Sequence, residues 1–102
     1  MIISDLRKEI AKRISSMKEH AADVLMELIR FPSVCGEEMG AVNSMKEIIE
    51  SAGLKPEIIP LNPAIKSHPE YTHYTEEPSW EGRGNLVTGY GGNGGGRSLI
   101  MN

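Results

Sequence analysis

The sequence is poor in the features that would announce several classes of protein. It has a single cysteine, Cys35, so no disulfide can form within the chain. No apolar run is long enough to cross a bilayer as a helix. Basic residues do not predominate: the net charge is -3, which removes the electrostatic footprint of a nucleic-acid binder. The opening residues Met1-Ile2-Ile3-Ser4-Asp5 meet a charge too early for the apolar region of a secretory signal. Together with the lone cysteine, this predicts a reducing, cytoplasmic location. Aromatic residues make up only 5% of the chain, so any core must be built from Ile, Leu, Val and Met. At 102 residues and 39% hydrophobic content, the chain has material for one small core.

Helical patterning is plentiful. From Leu6, apolar residues fall at Ile10, Ile14, Met17, Ala21, Val24, Leu25, Leu28 and Ile29, a stripe with helical spacing that predicts a helix over 4–30. Ser4 has the chemistry of an N-cap, and Ser16 with Glu19 has capping-box form, which predicts a break near Ser15-Ser16. Pro32 ends the pattern. A second helix is predicted over 37–52, with Glu37 and Glu38 in its first turn and Val42, Met45, Ile48, Ile49 and Ala52 on its buried face. Gly53 stands where a left-handed C-cap is wanted, followed by Leu54 to pack back.

Three extended segments follow, over 56–61, 85–90 and 97–102. Pro56 and Pro60 suggest that the first lies at a sheet edge or that they mark its ends, and the run Leu99-Ile100-Met101 suits a strand covered on both faces. The long polar stretch over 62–84 carries Pro63, Pro69 and Pro78 and is expected to lie across the surface or move, with Trp80 packed near the start of the second strand. Helices followed by strands predict an α/β architecture with only part of its sheet present.

Several motifs invite chemistry. Gly89-x-Gly91-x-x-Gly94 fits a dinucleotide fingerprint, and Gly91–Gly96 with Arg97-Ser98 approximates a phosphate loop. Both need a helix directly after the glycines to hold phosphate, whereas a strand-like run follows. His68 and His73, near Glu70, Glu76 and Glu77, could bind zinc, but the spacing matches no helical ligand pair and favours solvated loop residues. His20 reads as a surface residue. Glu37 and Glu38, adjacent on a helix, diverge by about 100° and cannot act as a catalytic pair. Cys35 precedes a helix N-terminus, yet no local histidine offers it a base, and it reads as an unreactive small residue. No residue of the chain is assigned a catalytic, metal-binding or cofactor-binding role.

Taken in order, the segments resemble a known family. Leu28-Ile29-Arg30-Phe31-Pro32-Ser33-Val34-Cys35-Gly36-Glu37-Glu38 is similar to the N-terminal signature of the dinuclear zinc hydrolases related to acetylornithine deacetylase, succinyl-diaminopimelate desuccinylase, aminoacylase and carboxypeptidase G2. Ala52-Gly53-Leu54, Glu81-Gly82-Arg83-Gly84-Asn85-Leu86-Val87 and Gly96-Arg97-Ser98-Leu99-Ile100-Met101-Asn102 repeat that family's order, so the likeness runs from about Ala22 to Asn102.

The resemblance implies two N-terminal helices followed by three strands of a mixed sheet, an incomplete part of a three-layer α/β/α catalytic domain of the zinc-exopeptidase type. It implies a parent enzyme that cleaves the amide bond of an N-acyl amino acid or small peptide with two zinc ions, and that carries a separate dimerisation domain. The family's first zinc ligand belongs to a Gly-His-x-Asp segment that would follow Asn102. The chain is therefore expected to be the inactive front of a larger enzyme, binding no zinc alone and associating with itself through its unpaired terminal strand. The alternative is a self-contained, noncatalytic α/β binding or regulatory module.

Overall fold

A computed structural model describes residues 2–73 and 75–102. Three α-helices come first: α1 (Ile3–Ser16), α2 (Lys18–Ile29) and α3 (Met39–Ser51). Strand β1 (Glu57–Pro60), a short 3-10 helix (Pro63–Ser67) and strand β2 (Gly84–Val87) follow. The protein is mixed α/β. No helix among the described residues is long and apolar enough to cross a membrane.

The long first helix is interrupted at Met17, one residue beyond the predicted break. Ser16 donates its hydroxyl to the Arg13 carbonyl at 2.7 Å, and the Met17 N–H turns to Ile14 at 3.1 Å. A hydroxyl that binds a carbonyl in its own preceding turn competes with the helical ladder. The capping readings are corrected here. Ile2, in extended conformation, precedes α1 and Ser4 lies inside its first turn, while Met17 precedes α2, neither helix having a side-chain cap. α3 starts two residues later than expected, because Glu38 stands at its N-cap and Glu37 lies outside it.

The end of α3 follows the sequence closely. Gly53 has φ +86°, its N–H reaches the Glu50 carbonyl at 2.9 Å, and the Leu54 N–H reaches Ile49 at 3.3 Å. This is the paired hydrogen bonding of a Schellman ending. Val42, Met45, Ile48 and Ile49 are half-buried as expected, whereas Ala52 is exposed. α3 packs against both α2 and β2.

The sheet differs from expectation. It has two strands, paired antiparallel with Ile58 opposite Leu86 and Pro60 opposite Gly84. The predicted mixed sheet and the third strand over 97–102 are not formed among the described residues. Leu99, Ile100 and Met101 are 83–89% exposed. An apolar run supplies strand propensity, but a strand exists only through a paired ladder, and no neighbour lies beside this one.

The array is open. Its radius of gyration is 18.0 Å, against about 13 Å for a compact domain of this length. Its accessible surface is 9287 Å², against about 5,700 Å² for a globular chain of this mass. No described residue is fully buried.

Candidate functional site

Two side-chain clusters lie along the loop that leads into β2, and the first ties that loop to a distant part of the chain. The first is centred on Glu38. Arg83 grips its carboxylate with two prongs, Nε donating to Oε2 at 3.0 Å and Nη2 to Oε1 at 2.8 Å. The Gly36 N–H donates to the same Oε1 at 2.8 Å. Two charge-assisted bonds in parallel fix direction as well as distance, which a lysine could not do. Arg83 is itself held by the Ser79 carbonyl at 3.4 Å, and its own carbonyl accepts the Leu61 N–H at 3.1 Å.

The electrostatics follow from this geometry. The Gly36 N–H, then Arg83, stabilise the ionised carboxylate and hold Glu38 down to about 2. Arg83 is pushed above its usual value, chiefly by the Glu38 carboxylate, with Cys35 a smaller contributor. Gly36 has φ +96°, and a Cβ there would sit 2.8 Å from the Cβ of Pro78. Only glycine meets both demands, so the loop before α3 can close over the long loop.

The second cluster is centred on Glu77. Trp80 Nε1 donates to Oε1 at 3.0 Å, Lys66 Nζ lies 2.9 Å from Oε2, and the Tyr71 hydroxyl also donates to Oε1. These donors, Tyr71 first and Lys66 next, hold Glu77 below the usual carboxylate range. Lys66 Nζ also lies 4.4 Å from the Trp80 ring centroid, in cation–π range. The loop over 62–84 thus contains a 3-10 helix and a side-chain network. Trp80 sits near the start of β2, where it was expected. It lines a cleft of about 490 Å³ with Ile58, Pro60, Leu61, Pro63 and the segment 81–83.

The residues singled out from the sequence are placed as follows. His68 Nδ1 accepts the Glu70 N–H at 3.2 Å, and His73 meets the Tyr71 ring edge-on at 4.7 Å. His20 and Cys35 are exposed. Glu37 donates its N–H to Val34 at 2.8 Å. Gly94 and Gly95 have positive φ, and no helix follows them among the described residues. The described residues contain no group of three or more His, Cys, Asp or Glu able to hold a metal ion. Sequence reasoning read Glu38 as a helix-start charge and did not find its partner. Glu38 and Arg83 are 45 positions apart, and no local periodicity links them. Comparison with protein-family models, curated proteins and solved structures finds no match for this chain.

Proposed function

We propose that these residues form the N-terminal part of the catalytic domain of a zinc-dependent amidohydrolase. Such an enzyme cleaves the amide bond of an N-acyl amino acid or small peptide in the cytoplasm. The observation that carries the reading is the Glu38–Arg83 clamp. It joins the two segments in which the resemblance is densest, Leu28–Glu38 and Glu81–Val87, and so gives their shared occurrence a structural reason. The open surface supports the same reading over the self-contained module, since a finished domain of this length buries far more of itself.

In the parent enzyme, two zinc ions would bind and polarise the attacking water. The donor set of the described residues does not fit that role, so no step of the hydrolysis is assigned to this chain. Its part is architectural. α2, α3 and the β1–β2 pair form a platform, and the clamp fixes the loop before α3 against the entry to β2.

Reading the coding sequence downstream of Asn102 tests this directly. A Gly-His-x-Asp continuation is expected, and the complete product should hydrolyse N-acetyl amino acids in a zinc-dependent, chelator-sensitive manner. A stop codon at that point, or a complete product with no such activity, would return the chain to the noncatalytic module.

A further inference from the structure

The loop over 62–84 is closed on itself by side chains. Its first half carries the 3-10 helix Pro63–Ser67 and a turn in which the Tyr71 N–H meets the His68 carbonyl at 3.0 Å. Its second half leads into β2. Among the described residues no backbone hydrogen bond crosses between 62–73 and 75–82. Glu77 supplies the crossing instead. Lys66 and Tyr71 reach its carboxylate from the first half, and the Trp80 indole N–H reaches it from within the second. The Glu77 side chain is 19% exposed and that of Lys66 35%, so the pair is partly shielded from solvent. Rings pack around the same point. Lys66 Nζ lies 4.4 Å from the Trp80 centroid, and Tyr71 meets Trp80 edge-on at 6.2 Å. Trp80 in turn lines the cleft of about 490 Å³ together with Ile58 and Pro60 of β1.

We propose that Glu77 is the hub of a carboxylate latch that holds the two halves of this loop together and Trp80 in the wall of the cleft, and that protonating this one carboxylate opens the latch while the helices stay folded. An ionised carboxylate is an acceptor only and takes all three donors at once. Its acid form carries a proton of its own and loses the charge that draws Lys66. The titratable groups that face Glu77 are Lys66, from the 3-10 helix, and Tyr71, with His73 edge-on to the Tyr71 ring at 4.7 Å. Tyr71 first, then Lys66 and Trp80, lower the Glu77 carboxyl below its ordinary value of 4.5. The folded loop therefore binds this proton less readily than the unfolded chain. The latch is intact above about pH 4.5 and is lost as the pH falls through the lowered value. The hydrogen bonds of Glu77 end within the loop, and the latch shares no side chain with the Glu38–Arg83 clamp. The inference does not depend on the proposed enzymatic activity.

Trp80 is the only tryptophan of the chain, so its fluorescence reports the latch. Emission and acrylamide quenching, followed from pH 7 to pH 3 beside far-UV circular dichroism, test the proposal. In the wild type the emission should move to the red and quenching should rise in one transition with its midpoint below about 4.5, while the helix signal holds. Glu77→Gln should give the acid-form signal already at pH 7 and stay flat. Lys66→Met keeps the apolar stem and removes the charge, and should raise the midpoint toward 4.5. Glu38→Gln should keep the transition. Should Glu77→Gln lose helix at pH 7, the Lys66→Met midpoint decides, and an unmoved midpoint counts against the latch. A Trp80 signal that stays constant with pH would overturn the inference, as would an acid transition that survives Glu77→Gln or vanishes in Glu38→Gln. So would loss of helix at the same pH, which would make the opening part of global unfolding, or a change complete above about pH 5, which would belong to His73.

Discussion

Between Phe31 and Val87 the chain is held by contacts between residues far apart in sequence. Arg83 reaches Glu38 across 45 positions, the Leu61 N–H bonds to the Arg83 carbonyl, and β1 pairs with β2. The two ends behave differently. The hydrogen bonds of α1 lie within its own turns, and residues 88–102 join neither helix nor strand among the described residues. Local composition contributes, since α1 is more polar than α2 or α3 and the terminal segment is rich in glycine. The presence of an opposite surface also separates them. The centre has one in α2, α3 and the strand pair, while the ends pack little against the rest of the described residues.

The largest effect among these predictions should come from Gly36, where a positive φ and a close neighbour coincide. Gly36→Val must place a β-branched residue at φ +96° and a Cβ against Pro78. A loss of at least about 2 kcal/mol is expected from the backbone conformation alone, measurable by chemical denaturation. If the variant were as stable as the wild type, the closure of the loop before α3 over Pro78 would not contribute to the fold.

A matched pair of truncations sharpens the comparison at intermediate size. Leu28 is half-buried on α2, the helix that packs against α3, and Ile10 is exposed on α1. Leu28→Ala should cost about 1–2 kcal/mol, less than a fully buried site. Ile10→Ala should stay within about 0.5 kcal/mol when measured at concentrations where the chain is monomeric. Equal losses at the two positions would erase the distinction between centre and end.

These particular residues also show how far the sequence could be read. The end of α3 was legible because a C-cap is local: Gly53 and Leu54 carry its whole instruction within two residues. The existence of β1 and β2 was legible from β-branched and apolar runs, and their positions agree to within a few residues at each end. The terminal run Leu99-Ile100-Met101 has equal propensity and forms no strand, because pairing is a property of two segments and propensity a property of one. The partner of Glu38 was missed for the same reason. Its carboxylate suits a helix start, but an arginine far along the chain and a backbone N–H two residues back bind it first. The Glu77 network in the long loop was hidden likewise, since Lys66, Tyr71 and Trp80 converge only after the loop has folded back.

The smallest expected effect is also the most specific to the clamp. Glu38 is held down to about 2 in the folded chain, whereas an unfolded glutamate titrates near 4.5. The folded state therefore binds this proton less readily. The stabilisation is fully present above about pH 4.5 and is lost as the pH falls toward about 2. Glu77, also lowered, contributes in the same direction, so Glu38 must be isolated by difference. Urea denaturation of the wild type and of Glu38→Gln, at intervals between pH 6 and pH 2.5, is that difference measurement. The two chains should differ most at pH 6 and converge as the medium becomes acidic, because protonation removes from the wild type what the amide already lacks. Parallel curves, with the same gap at every pH, would contradict a carboxylate clamp between the loop before α3 and the entry to β2.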